Sequence, residues 1–515
     1  MRHGTAVLLV ATLALGAQGC SDWLVEQPQD FFPLNSFPQT EPDLAIALGG
    51  IDNWYTGGSN QPYFIRGWPI LTEVPSDQTI TTQTGGTRYE QDSYTLTASN
   101  EWLWRVWEQI YGAIGSANFL IQYIPQMTLV SQDVKNRYMG AAKFHRAFNY
   151  FNAVRVWGGV PLVMKPDTSL ADVQATSHVP RAPMAEVYDS IVKDLQDAAT
   201  LLPSRWPGSA TPDDGRPTRW AADAMLADVY MNMSGALVGE NHWADAARAA
   251  KAVIDSGGYS LVPNFADLWL IRNKNGPEHI YSIQFQGVKR NLYTCQSRPS
   301  GIGTESCTNY WFSTADFMNS FDSLDARKAV TFLTQVTVGS VTYYYNKPST
   351  GGSKPAPAFG DYTTRGLGFE PYYGKFFDAG GPGMINQNNS RTDLNWPIYR
   401  YAEVLLIYAE AENEAVGPDV FAYARINDVR RRARLPDLTL GLSQDQFRDS
   451  VHVERSHELA FESKRVFDLK RWGTFYSVLS NDAVARIGLK PEHVLMPIPG
   501  REMDLDPALV QNPGY

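Results

Sequence analysis

Downstream of Ser131, the apolar residues Phe144, Phe148, Phe151 and Val154 recur at spacings of three and four. This is the stripe of a helix that packs one face inward, and the serine supplies an N-cap. Gly158-Gly159 and Pro161 make continuation costly, so the helix should stop there. Val187, Ile191, Leu195, Ala198 and Leu202 repeat the period and run into Pro203. A third helix is predicted over 216–233, around the small-residue run Ala221-Ala222-Asp223-Ala224, and a fourth over 243–254, ending at Gly257-Gly258. The same reading places further helices over 397–415, 419–435 and 444–479.

Alanines at close-packed positions let helices approach, and short turns force neighbours antiparallel. The predicted fold is therefore mainly α, with tetratricopeptide-like stacked helical hairpins and large irregular loop and β insertions, although no strict repeat of about 34 residues is visible. The helical scaffold covers about 101–257 and 397–480. Two stretches break its rhythm. Residues 58–100 and 258–395 are rich in Gly, Pro, Asn, Thr and aromatics. No linker composition separates them from the helices, so residues 20–515 read as one domain with these stretches laid over it as binding loops.

The N-terminus carries a different pattern. Arg2 and His3 precede an apolar run from Ala6 to Ala17, too short for the roughly 20 residues a membrane span requires. Residues 1–19 therefore read as a cleaved export signal. Cys20 then stands first in the mature chain, where a bacterial lipoprotein takes its acyl chains. Ala17-Gln18-Gly19 also suits an ordinary signal peptidase, which leaves two cleavage readings. With Cys20 acylated, only Cys295 and Cys307 remain as thiols. In an oxidising compartment they are expected to pair, a link worth roughly 3 kcal/mol. A net charge of −10 argues against a nucleic-acid partner.

Several segments in order carry a resemblance. GAAKFHRAFNYFNAVRVWGGVPL runs from Gly140 to Leu162, after WEQIYGAIGSAN from Trp107. GRPTRWAADAMLADVYM begins at Gly215, YRYAEVLLIYAEAENEA at Tyr399, ARINDVRRRA at Ala424 and ERSHELAFESKRVFDLKRWG at Glu454, and LMPIPGREMDLDPALVQNPGY closes the chain. Together these resemble the SusD/RagB family of nutrient-binding outer-membrane lipoproteins over nearly all of the mature chain. The resemblance implies a tetratricopeptide-like scaffold capped by an irregular ligand-binding region. It also implies display on the cell exterior, anchored in the outer membrane by N-terminal lipid, and partnership with a SusC-like TonB-dependent β-barrel that takes up an oligosaccharide or other polymeric nutrient.

Glu454, Glu458 and Glu462 lie four apart, with Arg455, Arg465 and Arg471 at helical spacing. The expectation here is a structural ladder of ion pairs along one helix, each worth a few tenths of a kcal/mol when exposed. His457-Glu458 opens like a zinc-peptidase helix, but Phe461 stands where the second histidine belongs. No catalytic set, metal site or cofactor motif is singled out, and the reading is of a binding protein, not an enzyme. The alternatives are a scaffold that binds only protein, and a surface glycoside hydrolase with two unrecognised carboxylates. For a sugar, an aromatic ring offers a face to C–H groups while amide and charged groups bond the hydroxyls. The candidates are Arg66, Trp68, Asn100 and Trp102, then Tyr293, Asn309, Tyr310 and Trp311 beside the Cys295–Cys307 loop. Trp104 and Trp107 sit three apart at a helix start and are assigned to the core.

Overall fold

The computed structural model describes residues 37–57, 63–81, 83–166, 178–211, 213–287, 291, 293–297, 310–338, 341–344, 370–378 and 392–515. Its longer helices are α1 (Glu41–Thr56), α2 (Glu101–Tyr123), α3 (Gln132–Trp157), α4 (Met184–Leu201), α5 (Arg219–Ser234), α6 (Trp243–Ser256), α7 (Tyr401–Val416), α8 (Val420–Arg432) and α9 (Gln444–Glu458). Each packs on the next along the chain from α2 to α6, and α6 packs on α7, which also holds α8 and α9. The fold is mainly helical, as the periodicity predicts.

The caps are local and legible. Ser131 accepts from the Val134 amide, Thr218 from Ala221 and Asp419 from Ala422. Each satisfies one amide that a helix start leaves unpaired. α3 ends at Gly158, whose φ is +76°, and a Cβ on Gly159 would lie 2.3 Å from the Ala182 carbonyl oxygen. The glycine pair thus lets the chain turn sharply and run close under the approach to α4.

Among the described residues four two-stranded antiparallel ribbons lie outside the helices: β1 (Thr79–Thr81) with β3 (Trp311–Ser313), β2 (His279–Ile283) with β8 (Trp396–Arg400), β4 (Phe332–Leu333) with β7 (Tyr372–Tyr373), and β5 (Gln335–Val338) with β6 (Val341–Tyr344). Through the β1–β3 ribbon the two irregular regions meet, with Thr81 opposite Trp311. One buried cluster extends from Leu44 through Phe148, Tyr281 and Trp396 to Leu509, so both scaffold stretches share a core with the insert between them.

Two expectations are corrected. The segment 397–400 is strand, not helix: Pro397, Tyr399 and Arg400 pair with Ser282, Tyr281 and His279 of β2, and α7 begins only at Tyr401. The helix expected over 444–479 breaks after Glu458, where Phe461 and Ser463 take φ of 63° and 58°. The break turns the Ser463 amide onto Glu73 Oε2 at 2.8 Å, and a new helix, α10 (Arg465–Arg471), starts beyond it.

The break also replaces the expected ladder by a buried cluster. Glu454, Glu458 and Glu462 are paired not along their own helix but with residues brought in from the insert, from β8 and from α8. Arg327 donates to Glu454 at 2.6 Å and Glu458 at 3.1 Å; Arg400 donates to Glu458 at 2.9 Å, Glu462 at 2.8 Å and Glu278 at 2.7 Å. Arg432 bonds Glu458 and Glu278, Arg430 bonds Glu454, and Lys375 bonds Glu462. With Asp325 on Arg327, each carboxylate has a cation to match it.

Candidate functional site

At the Thr81 end of the β1–β3 ribbon, three side chains converge. Thr81 Oγ1 donates to the Tyr310 carbonyl at 3.1 Å, and the Tyr310 amide donates to the Gln296 carbonyl at 2.8 Å, which fixes Tyr310 at the ribbon's edge. Its ring stays partly exposed. Arg66, in the π-helical turn Tyr63–Gly67, places its guanidinium carbon 5.8 Å from the Tyr310 ring centre. Arg88, in the short helix Thr87–Asp92, places its own at 4.2 Å. Burial lowers the Arg88 pKa from its usual value; the Tyr310 phenol acts against this, while Arg66 pushes the same way as burial. The site therefore offers an aromatic ring flanked by two planar hydrogen-bond donors, suited to a polar ligand with one flat apolar face.

The other aromatic candidates are interior, which corrects the expectation that they form exposed platforms. Trp68 is 3% exposed, Trp102 1% and Trp311 0%. Trp68 packs edge-on to Tyr63, and Trp102 donates through Nε1 to Thr87 Oγ1 at 3.0 Å. Tyr293 lies in the core against Trp396, and its hydroxyl donates to the Phe461 carbonyl at 3.2 Å. Asn100 is the N-cap of α2, accepting from the Trp102 amide at 3.1 Å and donating to the Thr87 carbonyl and Glu90. These residues sit in sequence rich in turns, but helix and ribbon close over them. Asn309, Cys307 and Cys20 lie outside the described residues, as does the side chain of Cys295, so the predicted disulfide does too.

Of the candidate set, then, Arg66 and Tyr310 come together. Arg88 joins them without any sequence signal, since nothing in GGTRYE marks it among the arginines. At the opposite end of the same ribbon lies a cleft of about 720 Å³, bordered by Asp77, Thr314, His452, Arg465 and Trp472. Within it Arg465 forks onto Asp77 at 2.7 and 2.8 Å, and His452 stacks on Trp472 at 3.6 Å. His457 Nε2 meets Ser320 Oγ at 3.0 Å, and Glu458 is held by arginines. Among the described residues no group of three or more His, Cys, Asp or Glu is arranged for a metal ion, and no helix is long and apolar enough to cross a membrane.

The sequence matches the family model described as "SusD family" over residues 256–515, and one described as "Starch-binding associating with outer membrane" over 61–231. SusD-like protein P2 of Formosa agariphila is 30% identical, with 99% of each chain covered. The chain belongs to the SusD family. Its fold agrees with solved members. A SusD homolog from Bacteroides thetaiotaomicron superposes with a TM-score of 0.78 at 25% identity, covering 94% of this chain and 98% of that one. The surface glycan-binding protein A from Bacteroides uniformis gives 0.73 at 22%, covering 92% and 99%. The signature segments from Tyr399 onward lie within the stretch matched to the SusD model, and the structure shows what they build: the helix pairs α7 to α9 and the buried charge cluster that fastens the insert to them.

Proposed function

We propose that this SusD-family chain is a lipid-anchored protein of the outer-membrane exterior that captures oligosaccharide at Tyr310 and presents it to a SusC-like TonB-dependent barrel. The carrying observation is the partly exposed Tyr310 ring between Arg66 and Arg88. A pyranose lying on the ring buries its C–H face, while the two guanidiniums donate to ring hydroxyls; no step of bond breaking is required of the site. The starch-binding description of the model matched over 61–231 and the glycan-binding name of the Bacteroides uniformis neighbour support a saccharide as ligand. Exposed Val416, Val420 and Phe421, grouped at the α7–α8 turn, suit a protein contact such as the barrel.

Replacing Tyr310 by Ala should weaken retention on glycan-bearing gels or arrays by about tenfold, the equivalent of roughly 1.4 kcal/mol. The thermal midpoint should stay close to wild type, because the ring is not enclosed by core. Undiminished binding by Tyr310→Ala would remove this site. Anchoring is tested separately. Cys20→Ser should move the protein from the membrane fraction to the soluble fraction, and mass spectrometry of the wild-type N-terminus should find acyl chains on Cys20. An unlipidated mature terminus would count against the anchor.

A further inference from the structure

α2 carries a second aromatic surface that the Tyr310 site does not use. Trp102 and Trp104 are two residues apart, about 200° round the helix at 3.6 residues per turn. Trp102 therefore turns toward Arg88, at 5.5 Å, while Trp104 borders a cleft of about 570 Å³ between α2 and the C-terminal helix Gly500–Leu505. Trp104, Trp107 and Tyr111 line that cleft together, at the spacing that stacks side chains along one helix face. Trp107 is buried and anchors the row, edge-on to Trp157 at 5.0 Å and stacked on Tyr111 at 4.9 Å. The Tyr111 hydroxyl donates to the Pro161 carbonyl at 2.9 Å, which fixes that ring. Trp104 and Tyr111 remain partly exposed. Trp107 thus lies in the core, whereas Trp104 is partly buried and covers the scaffold at the cleft's edge.

We infer that this cleft is a second saccharide site, one that takes neutral sugars. Its size falls within the range of about 300–1,000 Å³ typical of small-molecule sites. The Arg501 and Arg105 guanidiniums each lie 4.7 Å from the Trp104 ring centre, so the aromatic floor takes the C–H face of a pyranose when Arg501 swings to the rim, where it joins Glu108 and Glu502 as groups for hydroxyls. Among the described residues neither Glu108 nor Glu502 is within ion-pair distance of a lysine or arginine, so both carboxylates are available as acceptors. Burial raises the Glu502 pKa, Arg501 opposes the rise, and Glu108 adds to it. With Asp506 also on the lining, three carboxylates face Arg501, and the second arginine near the Trp104 ring, Arg105, is paired with Glu101; the surplus of acid disfavours uronate or sulfate groups and selects for uncharged rings. The ligand class rests on the saccharide reading proposed above; the location does not depend on Tyr310.

The test is calorimetric titration of full-length mature protein with maltoheptaose, cellohexaose and a galacturonate hexamer. Four proteins are compared: wild type, Trp104→Ala, Tyr310→Ala and the double variant. For a neutral oligomer that binds, Trp104→Ala should lose one of two binding events or about tenfold in affinity. Tyr310→Ala should keep the event that the double variant lacks, and the galacturonate hexamer should not bind there. A Trp104→Ala protein that titrates like wild type overturns the second site while leaving the Tyr310 reading intact. Loss through Trp104 with none through Tyr310 supports this cleft and removes the other site. Wild-type protein that binds none of the three overturns both. If Trp104→Ala loses its thermal transition, Glu108→Gln combined with Glu502→Gln gives the same readout without disturbing the aromatic row.

Discussion

Replacing Glu458 by Ala is expected to destabilise the folded protein by about 3–5 kcal/mol, the cost of leaving buried charge without its partner. Glu458 is fully enclosed, and its carboxylate accepts from Arg327 at 3.1 Å, from Arg400 at 2.9 Å and from Arg432. Burial works against the charge on Glu458, but Arg432, Arg400 and Arg327 outweigh it and hold its pKa well below the usual carboxylate range. Arginine cannot shed its proton to escape, so removing the acid strands guanidiniums in the interior. The loss should reach beyond α9, because the same arginines fasten β8 and the segment around Arg327 to it. Chemical denaturation monitored by tryptophan fluorescence would measure the effect, and a change below about 1 kcal/mol would mean that the cluster relaxes or admits water. The exposed pair Lys251–Asp255 is the internal control: its loss should cost under about 1 kcal/mol.

The glutamate spacing was legible in the sequence, but its meaning was not. Glu454, Glu458 and Glu462 look like a solvent ladder because spacing reports only neighbours on the same helix. Their real partners come from the insert, from Arg400 at the end of β8 and from α8, at separations no local pattern encodes. The helix break has the same origin. No glycine or proline interrupts Leu459-Ala460-Phe461-Glu462-Ser463; the chain turns because Phe461 stacks on Tyr373 at 3.7 Å and Ser463 reaches Glu73. Helices with a hydroxyl or carboxylate cap and a clear stripe, such as α3 and α8, were readable because both signals are local. Residues 397–400 read as helix because Pro397 suits a helix start as well as a ribbon strand.

Exposure of the aromatics was the least legible feature. A turn-rich context marks Trp68 and Trp311 as lying in loops, yet burial depends on what folds over a loop, here the β1–β3 ribbon and the α2–α3 pair. Tyr310 and Trp311 are adjacent in sequence, yet Tyr310 at the ribbon's edge is only half-buried while Trp311, like Phe312 after it, is enclosed. Of the three side chains that converge at the Thr81 end of the ribbon, the sequence therefore points to Arg66 and Tyr310 but not to Arg88.

His145→Gln should change the pH dependence of stability more than the stability near neutrality. His145 is fully buried in α3, its Nδ1 3.0 Å from the Tyr55 hydroxyl, and burial lowers its pKa to about 3. An unfolded histidine titrates near 6.5. Between these values the unfolded chain binds the proton and the folded chain does not, so stability falls as pH drops through about 6.5 toward 4. Above about 7 the imidazole is neutral in both states and adds no slope. His279 and His457, each lowered to about 4 by burial with arginine nearby, act in the same direction, whereas Glu73, raised to about 8 by burial, acts in the opposite one. Those groups are common to wild type and variant and cancel in their difference. Gln can still bond the Tyr55 hydroxyl and cannot titrate. The difference in unfolding free energy should thus be constant above pH 7 and shift toward the variant by about 3 kcal/mol by pH 4, at roughly 1.4 kcal/mol per unit. Denaturant titrations at pH 8, 7, 6, 5 and 4 on both proteins would read it. A difference that stays constant over that range would show that His145 takes up its proton in the folded state as readily as in the unfolded chain.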